Sequence, residues 1–216
     1  MRNEPIRGIL LDLDETLHSR ERAFGSWLDT EARRAGVSLD GERSRIAELD
    51  ARGRGDKPAL LEHLSRVLGW GGSAESHLER FREGIVEHVA LEPGARDLLL
   101  RVRREHRLGL VSNGTGRTQR AKLTRLGIAD PLDPIVISEE VGVRKPDARI
   151  FQIALSNWSL PRESVVFVGD DPVADVQGAL DAGLRALRIG EGGIPSILDL
   201  EAWLEARRTP GSAAPR

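Results

Sequence analysis

Residues 8–14, with the sequence GILLDLD, carry a short apolar run directly into acidic side chains. A run of this length that ends at polar residues is typical of a buried strand. Because side chains alternate along a strand, we expect Asp12 and Asp14 to lie on the same side of it. Two buried carboxylates repel each other and lose hydration, so the pair needs a proton, a cation or good hydrogen bonds. Taken alone, the pair is also compatible with an ordinary acidic turn after a strand.

Four more apolar runs follow along the chain, and from residue 93 onward they alternate with helical patterns. This alternation predicts an α/β fold, with a parallel sheet covered by helices on both faces. The predicted strands are 6–13, 108–112, 135–138, 165–168 and 184–189. The predicted helices are 93–106, 116–127, 147–157, 173–183 and 195–207. In open parallel sheets, ligands bind at the carboxyl ends of the strands, where this chain places its acidic residues.

Residues 18–90 interrupt that alternation, because they contain four amphipathic patterns and no convincing strand. The patterns span 20–36, 42–51, 57–68 and 74–89, joined by glycine-bearing links. We therefore predict a helical domain at 18–90, inserted into a discontinuous core of residues 1–17 and 91–208. The last residues, 209–216, are rich in Pro, Gly, Ala and Ser and are predicted to be disordered.

The composition excludes several functional classes. Hydrophobic residues are 39% and charged residues 31%, which is sufficient for a globular core. The 32 basic and 34 acidic residues nearly cancel, so the charge balance predicts neither a nucleic-acid partner nor a membrane partner. Without cysteine, any metal site must use oxygen or histidine ligands. No apolar leader opens the chain and no run is long enough to span a bilayer, so we expect a cytoplasmic protein.

A polar segment follows the second predicted strand, where Ser112 and Asn113 precede two glycines and a helix. A hydroxyl and glycines at a helix start offer backbone N–H groups and the positive end of the helix dipole to an anion. A helix cap with a flexible turn would have the same sequence pattern.

Lysine is rare in this chain: 29 of the 32 basic residues are arginine, and only Lys57, Lys122 and Lys145 are lysine. A coding bias explains the ratio, but any retained lysine also becomes a candidate for a specific role. Pro146 disfavours helical backbone at Lys145, which is therefore expected in an extended or turn segment before a helix that begins near Asp147. The ordinary alternative is a solvated surface lysine.

A second acidic cluster follows the fourth predicted strand, where Asp170, Asp171 and Asp175 lie within six residues. Asp175 alone could be an acid in the first turn of a helix, where it would complement the helix dipole. Combined with Asp12 and Asp14, however, the cluster would create an all-oxygen site. Such a site suits Mg²⁺.

In chain order, these four segments resemble the four motifs of the haloacid dehalogenase-like (HAD) superfamily of phosphohydrolases. Residues 12–16, DLDET, are similar to the first motif, DxDx[TV], and Ser112 matches the Ser or Thr of the second. Lys145 in its Lys-Pro-Asp setting is similar to the third motif, and residues 169–175 are similar to GDxxxxD. The resemblance covers residues 6 to about 183 and implies a Rossmann-like core with an inserted helical cap of the C1 type.

The resemblance also implies a chemical role for each of the main site residues. Asp12 is the expected nucleophile, which takes the phosphoryl group to form an aspartyl-phosphate. Asp14 is expected to protonate the leaving alcohol and then to deprotonate the hydrolytic water. The Lys145 ammonium is expected to neutralise charge between the nucleophile and the phosphoryl group, where a compact point charge fits better than a guanidinium.

The expected cofactor is Mg²⁺. By resemblance, its ligands are Asp12, the backbone carbonyl of Asp14, Asp170, and either Asp171 or Asp175 directly or through water. The phosphoryl oxygens are expected to be bound by Ser112, Lys145 and the backbone of Asn113.

The implied function is hydrolysis of a small phosphorylated metabolite. Asp14 favours a phosphatase over a true haloacid dehalogenase, because the dehalogenases lack this second aspartate. Two alternatives remain open: a phosphomutase of the same fold, or a binding or regulatory protein that retains the scaffold without catalysis. The cap is expected to close on the catalytic face and to exclude water.

Overall fold

The apolar runs form one five-stranded parallel sheet in a computed structural model that describes residues 4–207. The strands are β1 (Gly8–Leu11), β2 (Arg107–Ser112), β3 (Ile135–Ile137), β4 (Val165–Gly169) and β5 (Arg185–Arg188). Their order is β3-β2-β1-β4-β5, with β1 at the centre, where Leu11 pairs with Leu110 on one side and Val168 on the other. The predicted α/β class and all five predicted strands are confirmed.

β1 ends two residues before its predicted end. After Leu11, the Asp12 N–H still donates to the Val168 carbonyl at 2.9 Å, but the chain then turns. The Leu17 N–H donates back to the Leu13 carbonyl at 3.0 Å, and Glu15 has a positive φ of 56°. The two aspartates of the opening segment therefore lie on a turn that leaves the sheet, and Asp14 is outside the strand.

The chain divides into two compact units: Ser19–Ala90, and the residues up to His18 together with those from Leu91 onward. The first unit is helical and consists of α1 (Arg20–Ala35), α2 (Arg43–Asp50), α3 (Lys57–Leu68) and α4 (Ala74–His88). Every end lies within one residue of its predicted position. Its core includes Trp27 and Phe81, whose rings meet edge to face with centroids 5.1 Å apart. The predicted tail at 209–216 lies outside the described residues.

The helices of the sheet unit follow the predicted alternation. They are α5 (Ala95–Val102), α6 (Gly116–Leu126), α7 (Ser138–Val141), α8 (Ala148–Leu155), α9 (Gly178–Asp181) and α10 (Leu200–Glu205). The prediction missed α7, which begins at the residue expected to end the third strand. Pairing with β2 stops at Ile137, and the Ser138 hydroxyl accepts the Gly114 N–H at 3.0 Å. Among the helices of residues 4–207, none has the length and apolar character needed to cross a membrane.

Packing on the sheet fixes the strand ends in place. Phe151 of α8 and Phe167 of β4 meet edge to face, with ring centroids 5.1 Å apart, and Leu10 belongs to the same cluster. Burial of each such side chain contributes roughly 1.5–3 kcal/mol. The polar residues that follow the strands therefore stand on a rigid support.

Candidate active site

Three of the predicted site residues stand at the carboxyl ends of adjacent strands. Asp12 follows β1, Ser112 is the last residue of β2, and Asp170 follows β4. These strands are parallel neighbours, so their carboxyl ends lie at the same edge of the sheet.

Lys145 lies between two carboxylates of this edge. Its Nζ atom is 2.7 Å from Asp12 Oδ1 and 2.7 Å from Asp175 Oδ1, and all three side chains are buried. Burial raises the pKa of Asp12 to about 7; Lys145 opposes this rise and Asp175 adds to it. Burial also disfavours the ammonium of Lys145, but the two carboxylates outweigh that effect and raise its pKa. Lys145 therefore places a positive charge beside Asp12, the candidate nucleophile.

The Asn113 side chain holds the backbone of Lys145. Its Nδ2 donates to the Lys145 carbonyl at 3.0 Å, and its Oδ1 accepts the Lys145 N–H at 2.9 Å. On the other side, Gly178 approaches Pro146 so closely that an added Cβ would lie 2.9 Å from its Cα. Sequence reasoning assigned only the backbone of Asn113 to the site, because nothing in the sequence shows that its side chain reaches residue 145.

Three carboxylates converge where a divalent cation could bind. Oxygens of Asp12, Asp170 and Asp175 all lie within 4.8 Å of one another. An all-carboxylate donor set fits Mg²⁺, which prefers oxygen ligands. The Asp175 Oδ2 atom accepts the N–H of Asp171 at 3.0 Å, which helps to orient this side chain.

Two residues predicted at the metal site have other side-chain partners. Asp171 Oδ1 accepts the N–H groups of Val173 and Ala174 at 2.8 and 2.9 Å, so it caps the helical turn Pro172–Gln177. The carboxylate of Asp14, for which only the backbone carbonyl was expected near the metal, is also outside the group of three. Both predicted roles stay predictions.

The Asp14 carboxylate is held by residues that sequence reasoning did not assign. Its Oδ1 lies 2.6 Å from Lys122 Nζ and 2.8 Å from His18 Nε2, and its Oδ2 accepts from Gln119 Nε2 at 3.0 Å. Burial would raise the pKa of Asp14, but Lys122 and His18 outweigh it and hold that pKa well below its usual range. The scarcity of lysine was the one sequence signal that pointed to Lys122.

Carboxylates, an ammonium and a hydroxyl lie together at the strand ends of this parallel sheet. Such an arrangement is typical of an α/β enzyme whose acidic centre could hold a cation. More specifically, the family model for haloacid dehalogenase-like hydrolases matches residues 6–183. The chain belongs to this family, as its motifs predicted.

Relatives and a solved structure agree with this assignment. The pyrimidine 5'-nucleotidase YjjG of Escherichia coli is 40% identical over 107 residues, which are 49% of this chain and 48% of the relative. The phosphoserine phosphatase of Thermus thermophilus is 30% identical over 222 residues, covering 85% of this chain and 88% of the relative. The putative HAD-hydrolase YfnB of Bacillus subtilis, a structure described as bound to magnesium, matches with a TM-score of 0.77. It shares 21% identity and covers 94% of this chain and 100% of its own, which supports the fold alone.

Proposed function

We propose that this chain is a Mg²⁺-dependent phosphatase that hydrolyses a small phosphomonoester through a phosphorylated Asp12. The observation that carries the proposal is the buried Lys145 ammonium, 2.7 Å from Asp12 and 2.7 Å from Asp175. Phosphoryl transfer depends mainly on positioning and charge neutralisation, and this arrangement provides both around one carboxylate. The phosphatase name of the Thermus thermophilus relative supports the same reaction class.

In the proposed first step, a carboxylate oxygen of Asp12 forms a bond to phosphorus while the bond from phosphorus to the leaving oxygen breaks. Asp14 takes up a proton when the negative charge of the bound phosphoryl group lies beside it, and gives that proton to the leaving oxygen. In the second step, Asp14 takes a proton from water as the water oxygen attacks the phosphorus of the aspartyl-phosphate, which releases inorganic phosphate and frees Asp12. The Ser112 hydroxyl, the Asn113 backbone and Lys145 bind the phosphoryl oxygens throughout.

Mg²⁺ would be held by Asp12, Asp170 and Asp175, the three carboxylates that converge. When bound, it would neutralise charge on the phosphoryl oxygens. The YfnB structure, which shares the fold, is described as bound to this cation. The backbone carbonyl of Asp14 stays a candidate ligand, and the carboxylate of Asp171 stays a candidate for contact directly or through water.

The experiment that tests the proposal is a screen of alkyl, sugar, nucleoside and amino-acid phosphates with Mg²⁺, in which released phosphate is measured. We expect turnover of at least one phosphomonoester, loss of turnover on removal of Mg²⁺ with a chelator, and no turnover by Asp12→Asn. Formation of an isomeric sugar phosphate without phosphate release would favour the phosphomutase instead. No phosphate release across the whole panel would favour a non-catalytic protein.

A further inference from the structure

The two buried polar side chains of α6 face the candidate site. Gln119 and Lys122 are 2% and 4% exposed, although both residue types are usually solvated. They are three residues apart and so lie on the same face of the helix. The exposed Arg120 of the same helix pairs instead with Glu140.

Gln119 joins two residues that the proposed chemistry uses separately. Its Nε2 donates to Asp14 Oδ2 at 3.0 Å and to Ser112 Oγ at 2.7 Å. A side-chain amide nitrogen carries two hydrogens, so one NH₂ group supplies both bonds. The amide nitrogen of Gln119, and not its oxygen, must face Asp14, because the oxygen would repel the carboxylate.

The hydrogen bond from Gln119 determines which way the Ser112 hydroxyl can donate. Because Ser112 Oγ accepts a hydrogen from Gln119, its own hydrogen stays available for another acceptor. A phosphoryl oxygen is the acceptor that the proposed function places there. Meanwhile Lys122 contacts Oδ1 of Asp14 and Gln119 contacts Oδ2, so both oxygens of this carboxylate have a fixed partner.

We infer that Gln119 is a positioning residue, which holds the Asp14 carboxylate in one orientation and directs the Ser112 hydroxyl towards the phosphoryl group. This inference rests on the proposed function, since it assigns Gln119 a role through Asp14 and Ser112. A proton-transfer group must stay within hydrogen-bond reach of the reacting oxygen. Loss of the Gln119 hydrogen bonds would leave the Asp14 carboxylate and the Ser112 hydroxyl less well oriented, without changing the charge of the site.

The test compares Gln119→Met with the wild-type protein on two substrates in the presence of Mg²⁺. One is the best alkyl phosphate found in the screen, whose leaving oxygen needs a proton. The other is 2,4-dinitrophenyl phosphate, whose leaving group departs without one. The value of kcat/KM is compared because it covers binding and transfer to Asp12 but excludes hydrolysis of the phosphorylated enzyme.

We expect kcat/KM to fall about 100-fold for the alkyl phosphate and about tenfold for the dinitrophenyl ester, because misplacement of a catalytic group costs about 10²-fold. The inhibition constant of inorganic phosphate should rise, since Ser112 loses its orientation. The same substitution at the exposed Gln152 of α8 is the matched control and should leave both substrates unchanged.

An equal loss on both substrates, in a variant that melts like the wild type, would overturn the inference and indicate a purely structural glutamine. If Gln119→Met does not fold, Gln119→Asn replaces it, because its shorter amide cannot reach both oxygens and should change the substrate ratio in the same direction. A wild-type protein that hydrolyses neither ester would overturn the proposed function itself. Hydrolysis of both esters with an unchanged ratio in the variant would overturn only the role of Gln119.

Discussion

All three lysines of this arginine-rich chain lie against a carboxylate. Lys57 is 3.4 Å from Asp50, Lys122 is 2.6 Å from Asp14, and Lys145 is 2.7 Å from Asp12. Two of them are buried among site residues, where a compact ammonium fits and a planar guanidinium does not. A coding bias still accounts for the arginines of the surface, but it does not explain where the lysines remain.

Lys145→Arg should fold and lose activity. The guanidinium is larger than the ammonium and cannot occupy the same point between Asp12 and Asp175. We expect kcat to fall by about 100-fold, since the displaced charge no longer faces the nucleophile. Steady-state kinetics with Mg²⁺ measures this, and thermal melting checks the fold. Lys57→Arg is the matched control; activity equal to wild type in Lys145→Arg would contradict the assigned role.

Mg²⁺ binding should strengthen as the pH rises. Because burial raises the pKa of Asp12 to about 7, a proton must leave this carboxylate before the cation binds at lower pH. The affinity should therefore be about tenfold weaker at pH 6 than at pH 8. Isothermal titration calorimetry in two buffers of different ionisation enthalpy should also show more proton release at pH 6. An affinity independent of pH would contradict the raised pKa.

At the scale of elements, the turn after β4 separates two adjacent aspartates by function. The Asp170 carboxylate joins those of Asp12 and Asp175, whereas Asp171 caps the helical turn that follows. The backbone turns between them, so neighbours in sequence acquire different partners. We therefore expect Asp170, and not Asp171, to contribute charge to the candidate cation site, while Asp171 stabilises the start of the helical turn.

Asp170→Asn and Asp171→Asn should therefore differ, although each removes one negative charge from the same turn. Asp170→Asn should weaken Mg²⁺ binding at least tenfold, because it removes one of the three converging carboxylates. Asp171→Asn should keep both affinity and melting temperature close to wild type, because asparagine caps helices about as well as aspartate. Calorimetric titration of both variants with Mg²⁺ measures the difference. A larger loss in Asp171→Asn would make Asp171 the metal ligand.

At the scale of the whole molecule, each of the two compact units buries charged side chains of its own. The helical unit contains a buried ion pair, in which Arg20 donates from both terminal nitrogens to Asp50 at 2.6 and 2.7 Å. The sheet unit concentrates its buried charges at the ends of the strands. That the helical unit serves as the cap of the family, closing on the catalytic face and excluding water, stays a prediction.

Asp50→Ala should destabilise the helical unit, because it leaves the Arg20 guanidinium buried without its partner. Removal of one member of a buried pair costs roughly 3–5 kcal/mol. Hydrogen exchange followed by mass spectrometry should show faster exchange within Ser19–Ala90, with smaller changes in the sheet. The matched control is Asp29→Ala, whose exposed pair with Arg43 contributes little to stability because solvent screens it. Similar exchange in both variants would contradict this account.

Most of the secondary structure could be predicted because its signals are local. Apolar runs identified all five strands, and helical periodicity placed the four helices of Ser19–Ala90 within one residue. The prediction fails where contacts between distant residues set the ends of a helix. The short helix α7 begins at Ser138, which contacts Gly114 of a distant segment, and the predicted helix at 173–183 is divided into a turn capped by Asp171 and the short α9.

The sequence by itself determined the α/β order, the family and the acidic strand ends, because periodicity and motif spacing are properties of neighbouring residues. Only the tertiary structure decided which side chains meet. It brings Lys122 to Asp14 across 108 positions, and Asn113 to the backbone of Lys145 across 32. Such pairs depend on how α6 and the segment before α8 pack against the sheet. Which residues meet in such pairs depends on their proximity in the folded chain, and no local pattern of residues shows that proximity.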